Sequence, residues 1–109
     1  MKAAQLIAHG APGRFQIHDL PELEPGPNDA VIQVIACGLN HLDLWLEQGE
    51  LPLTILLPRT PGGEAAGRVL RVGSAVADWK PGDLVSVQSN LFCGECEFCR
   101  RGDGGLCRI

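Results

Sequence analysis

Cys93, Cys96, Cys99 and Cys107 follow one another as Cys-x2-Cys-x2-Cys-x7-Cys, and nothing else in the chain constrains its fold as strongly. Cysteines two residues apart present adjacent thiolates from a single turn, the arrangement a tetrahedral zinc ion takes with sulfur at about 2.3 Å. Gly94, Gly102, Gly104 and Gly105 let the backbone wrap around an ion, and Arg100, Arg101 and Arg108 are placed to offset the charge of four thiolates. Four thiolates leave no open position, so the expected ion is structural, one per chain, and not catalytic. An iron–sulfur cluster also uses Cys-x2-Cys-x2-Cys, but its fourth cysteine typically follows sooner and precedes proline; here Arg108 follows Cys107. Disulfides are the third use of such thiols. Against them, the stretch from Met1 to Leu6 runs quickly into His9 and Gly10 and does not read as a secretory leader, and the fifth cysteine would be left over. That fifth cysteine, Cys37, stands in an apolar stretch and reads as a small buried hydrophobe at a strand end.

The rest of the chain points to short strands. Fourteen glycines and eight prolines among 109 residues are roughly a fifth of the chain, against roughly an eighth in average usage, which argues against a helical bundle. At this length one domain with one core is expected. A net charge of −4 without any block of like charge speaks against a nucleic-acid partner, which needs a concentrated basic face. No apolar run approaches the roughly 20 residues of a membrane span. The expectation is a soluble, cytoplasmic, mainly β domain.

Met1 to His9 and Phe15 to Leu20 read as strands joined across Gly10-Ala11-Pro12-Gly13, a hairpin. Pro21 to Asn28 is too rich in proline for regular structure. Asp29 to Ala36 carries Val31, Ile32, Val34 and Ile35 and reads as a central strand, broken by Gly38. A helix follows to Gln48, with Asn40 as N-cap, Asp43 three residues on and Gly49 as its stop. Ala65 to Val72 is the next strand, entered through Gly62-Gly63; Trp79 to Asp83 is a turn that feeds a strand from Leu84 to Val87. The segment from about 91 to 109 is a loop-like, metal-stapled lobe. The sum is a partly open β-barrel with one short helix.

The order of these features is specific. The stretch from Val31 to Leu44, then Pro61-Gly62-Gly63-Glu64-Ala65-Ala66-Gly67-Arg68-Val69, then Trp79-Lys80-Pro81-Gly82-Asp83-Leu84-Val85, then the four cysteines, resembles the N-terminal, GroES-like domain of the medium-chain, zinc-type alcohol dehydrogenases. The resemblance covers essentially all 109 residues. Family members continue into a Rossmann domain. No Gly-x-Gly-x-x-Gly occurs here, and Gly62, Gly63 and Gly67 have the wrong spacing for it, so the resemblance implies a fragment that is not active alone.

The departures from the family carry equal weight. Its Gly-x-Cys-x-Ser/Thr-Asp motif supplies a catalytic zinc ligand and a hydroxyl; the matching positions are Asn40 and Leu42. Its Gly-His-Glu motif supplies the second ligand, and Gly63 stands where that histidine would be. Amide and glycine are poor replacements for thiolate and imidazole, so the catalytic zinc is expected to be lost. The resemblance then moves toward quinone oxidoreductases and enoyl reductases, which lack catalytic zinc. It implies a nicotinamide-dependent enzyme, using NAD(P)H, that reduces a small carbonyl or quinone substrate and works as a homo-oligomer. By residue-wise match, His41 meets the cofactor pyrophosphate, with a solvated surface histidine as the plain alternative. Asn40 contacts the nicotinamide side of the cleft, or simply caps the helix. Asp43 and Glu64 are the catalytic candidates, each with a structural carboxylate as the plain alternative. Trp45 reads as core, and His9 and His18 as ordinary surface or strand residues. Two other functions remain open: a zinc alcohol dehydrogenase whose ligands are displaced to Cys37 or Glu64, and a stand-alone zinc-stabilised binding module.

Overall fold

The computed structural model describes residues 1–108. The first two strands, β1 (Lys2–Ala8) and β2 (Arg14–Asp19), the second alternating polar and apolar residues, pair antiparallel from Lys2 opposite Asp19 to Ala8 opposite Arg14. Leu6 of β1 is fully buried. Leu6 also exchanges both backbone hydrogen bonds with Arg59, at 2.8 and 2.9 Å, so the proline-rich segment before β4 lies along the outer side of the hairpin.

The second sheet contains β3 (Ala30–Gly38), β4 (Glu64–Val72) and β5 (Leu84–Ser86) in the order β3-β4-β5, all antiparallel. Two expectations are corrected here. The central strand is β4 and not the segment around Val31 to Ile35, which forms an edge where Val34 and Ile35 are more than half exposed. Nor does Gly38 break β3; it is the last residue of the strand and pairs with Glu64. The apolar run in β3 was a poor guide to burial because two register shifts, at Val31/Ile32 and Val34/Ala36, interrupt the alternation on which such a reading depends. The turn before β5 forms as expected. Asp83 donates to the Lys80 carbonyl at 3.2 Å, with Pro81 and Gly82 between them, and the Asp83 carboxylate accepts from the Lys80 N–H at 2.9 Å.

Among the described residues there are two short α-helices where one was expected, α1 (His41–Gln48) and α2 (Glu97–Arg100), and a single 3-10 turn at Gly104–Leu106. Helix α1 ends at Gly49, in the left-handed region, whose N–H reaches the Leu46 and Trp45 carbonyls. The C-terminal half of α1 is clasped by the β1–β2 turn. Gly10 donates to the Glu47 carbonyl at 3.0 Å, Gly13 to Glu47 Oε1 at 2.6 Å, and His9 Nδ1 lies 2.9 Å from the Leu46 carbonyl oxygen. His9 therefore ties hairpin to helix, beyond the plain surface role expected of it. His18 does remain within its own sheet, between Gln5 and Gln16.

Among the described residues, only Leu6 and Val69 are apolar and buried. Leu39, Leu56 and Leu91 are 84%, 79% and 94% exposed, so the single sealed core expected from length alone is not what the two sheets enclose. Trp45, expected in the core, lies half exposed on α1. No helix among the described residues is long and apolar enough to cross a membrane.

Candidate functional site

The chain turns sharply between β3 and α1, and again where the 61–63 segment enters β4, and these two corners meet. Asp43 joins them. Its Oδ2 accepts from the Asn40 N–H at 2.9 Å, and the Asp43 N–H donates to the Asn40 carbonyl at 3.0 Å, which fixes the start of α1 with Asn40 as N-cap. Its Oδ1 accepts from the Gly62 N–H at 3.0 Å. One carboxylate thus holds two chain segments, 19 residues apart in sequence. Gly62 has to be glycine for this: its φ is +101°, and a Cβ there would stand 2.7 Å from the Cys37 sulfur. Cys37 itself is exposed, not buried as expected, with its thiol 3.6 Å from the Gly38 carbonyl oxygen. Its side chain faces the 62–63 corner because the last residues of β3 run out along the sheet edge.

Asn40, His41, Asp43 and Glu64 line one cavity of about 300 Å³, together with Leu42, Gly63 and Ser89. Residues singled out separately in the sequence therefore share one site. Glu64 is exposed and opens onto the cavity, so the alternative of a buried structural carboxylate does not hold. Asp43 meets its plain alternative: both of its oxygens are spent on backbone N–H groups. His41, the first residue of α1, is exposed, and its ring lies 6.2 Å from that of Trp45 at 56°. A larger, more apolar hollow of about 560 Å³ shares Asn40, His41 and Asp43 with this cavity and opens against Phe15, Leu39, Leu44 and Pro61. Ser89 was missed in the sequence. It lies in an irregular stretch between β5 and the cysteines, and a lone serine there carries no periodic or motif signal.

The four lobe cysteines come together as their spacing predicts, with all four sulfurs within 4.8 Å of one another. Cys93 and Cys99 sulfurs are 3.8 Å apart and those of Cys96 and Cys99 3.4 Å. A tetrahedron with zinc–sulfur bonds of about 2.3 Å has edges of about 3.8 Å, so the cage fits that ion once its widest sulfur pairs close by up to about 1 Å. Backbone N–H groups of Glu95 and Cys96 point at the Cys93 sulfur at 3.4 and 3.3 Å, and that of Cys93 at the Cys107 sulfur at 3.4 Å, arrangements that favour thiolates. The Cys96 thiol is pulled down to about 6, first by the Cys99 backbone hydrogen bond and then by its thiol, while Cys99 is pushed up to about 12 by desolvation and by its hydrogen bond to Cys96. Adjacent thiols cannot all ionise without a cation, and this pair expresses that conflict. Arg101 and Arg108, expected beside the thiolates, stack on Phe98 within the lobe. Their guanidinium carbons stand 5.1 and 4.7 Å from the centre of the Phe98 ring, and Arg101 also pairs with Asp103 at 3.3 Å. Among the described residues, no other group of three or more His, Cys, Asp or Glu side chains is assembled to hold a metal.

Residues 26–109 match the family described as the alcohol dehydrogenase GroES-like domain. An alcohol dehydrogenase of Schizosaccharomyces pombe is 36% identical over 106 residues, 96% of this chain and 30% of the relative. Among solved structures, a NAD-dependent alcohol dehydrogenase superposes with a TM-score of 0.92 at 38% identity, covering 99% of this chain and 32% of that one. The quinone oxidoreductase of Escherichia coli in complex with NADPH superposes with a TM-score of 0.72 at 32% identity, covering 79% of this chain and 26% of that one. The chain thus spans about a third of the length of the relatives it matches.

Proposed function

Because the chain belongs to the alcohol dehydrogenase GroES-like domain family, we propose that it is the β-rich part of a nicotinamide-dependent oxidoreductase that reduces quinones or conjugated carbonyls, with structural zinc in the cysteine lobe and none at the reacting centre. The observation that carries this reading is the lining of the 300 Å³ cavity, where Asn40 and Gly63 stand at the positions that match the family's ligands and Asp43 is committed to backbone N–H groups. Cys37 and Glu64, the displaced ligands of a rival zinc alcohol dehydrogenase, are not assembled with a third donor among the described residues. The exposed leucines 39, 56 and 91 are more apolar surface than a free-standing binding module needs, and they suit a chain that packs against further structure.

A bound nicotinamide would supply the hydride. The chain's own part is to hold and orient what binds. His41 offers a ring N–H at the positive end of α1, where an anionic group such as the cofactor's phosphates is stabilised. Asn40 is fixed by the Asp43 clamp and presents an amide donor and acceptor to the cavity. Glu64 presents a carboxylate at the same wall, placed to exchange a proton with bound substrate or water. Polarisation of the carbonyl then falls to hydrogen bonds and position alone. Elemental analysis of the whole protein, purified without added metal, tests the reading. One zinc per chain is expected; two would overturn it in favour of an alcohol dehydrogenase with ligands at Cys37 or Glu64.

A further inference from the structure

The cavity beside Gly63 contains more hydrogen-bonding capacity than the reading above uses. Ser89 lines it opposite Gly63, and a Cβ placed on Gly63 would stand 3.7 Å from the Ser89 Cβ. Glycine leaves that space open, in ordinary van der Waals reach of the serine. Among the described residues the Ser89 hydroxyl has no hydrogen-bond partner. Asp43 and Glu64 add carboxylates to the same wall, and carboxylates accept hydrogen bonds when ionised but do not donate them. The side-chain donors are therefore Asn40, Ser89 and His41, and the His41 ring leans toward Trp45.

We infer that Ser89 is a carbonyl-binding residue: its hydroxyl, with the Asn40 amide, donates to the oxygen of an uncharged carbonyl compound seated in the space beside Gly63. The donors select an oxygen acceptor. The Glu64 carboxylate, which unlike that of Asp43 accepts no backbone N–H among the described residues, selects against an anion beside it, because a substrate carboxylate would meet a like charge at close range. Keto acids are thus disfavoured and neutral aldehydes, enones and quinones favoured. The inference rests on the proposal that no zinc occupies this cavity.

The test uses 4-(dimethylamino)cinnamaldehyde, a neutral aldehyde whose visible absorption moves to longer wavelength when its oxygen accepts hydrogen bonds, and the whole protein carrying one zinc per chain. A red shift on binding is expected. Ser89→Ala should weaken binding by about three- to tenfold, the loss of one hydrogen bond, and shrink the shift, while Ser89→Thr should restore both. The matching cinnamate anion should bind at least tenfold more weakly. Equal shift and affinity in wild type and Ser89→Ala, with Asn40→Ala lowering both, would overturn the role of Ser89 and leave the zinc-free reading standing. A shift that appears only after a second zinc per chain is added, and that chelation of that zinc abolishes, would overturn both. Cinnamate binding as well as the aldehyde would overturn the selection for uncharged substrates.

Discussion

Asp43 is the side chain whose removal should do most to the cavity for the least change in volume. It accepts from the Asn40 N–H at 2.9 Å and the Gly62 N–H at 3.0 Å. A hydrogen bond to a charged group contributes about 1.5–3 kcal/mol where water is excluded. Both bonds here are solvent-accessible, which discounts each to about 1 kcal/mol. Asp43→Ala should therefore destabilise the fold by about 2 kcal/mol. Asp43→Asn, which keeps one acceptor oxygen, should cost about half as much. Urea unfolding measures the total. The more pointed assay is backbone amide exchange by NMR, because the effect should be local before it is global. The Gly62 amide, held only by Asp43 Oδ1, should exchange about fivefold faster in Asp43→Ala, since about 1.4 kcal/mol corresponds to a factor of ten. Amides deep in β4, such as that of Val69, should change only by the shift in global stability. A variant within 0.5 kcal/mol of wild type, with Gly62 exchange unaltered, would refute the reasoning that one carboxylate holds the two corners together.

Two further expectations follow from the geometry. A Cβ on Gly67 would run into the Gln33 carbonyl oxygen and stand 2.8 Å from its carbon and 3.1 Å from Val34 Cα, all backbone of the paired strand. Gly67→Ala should cost about 3 kcal/mol or more, whereas Gly105→Ala, with nothing within 4 Å, should stay within about 0.5 kcal/mol; equal melting temperatures for the two would contradict this. In the lobe, zinc has to displace thiol protons, and Cys99 holds its proton to about 12. Protonation opposes binding, so zinc affinity should fall as pH drops and binding at pH 7 should release protons. Calorimetry in buffers of differing ionisation enthalpy checks the release; buffer-independent heats would argue against thiolate ligation.

Local signals were legible where one short segment does the work. The hairpin, the N-cap at Asn40, the stop at Gly49 and the turn at Pro81-Gly82 all form at the expected places. Each depends on backbone preferences of two to four residues, which are written in the residue types themselves. Short helix α2 was not legible. Its four residues carry no periodicity, and the lobe cysteines around it dominate that stretch of sequence. Burial was misjudged at Cys37 and Trp45 for a common reason. Whether a side chain is covered depends on elements distant in sequence, and in this chain the two sheets cover little.

The cysteine spacing by itself determined that three sulfurs meet, because Cys93, Cys96 and Cys99 lie within seven residues; Cys107 joins them through the packing of the 3-10 turn against α2. It determined as well which residue types occupy the corner before α1. What the tertiary structure decided is the company those residues keep. The antiparallel register that sets Gly38 against Glu64 brings Asn40 beside Gly63, and Asp43 locks that meeting through Gly62. The return of the chain through β5 then lays Ser89 across the same space. No local preference encodes such a meeting; it follows from which strand edges pair, and that is a property of the whole sheet.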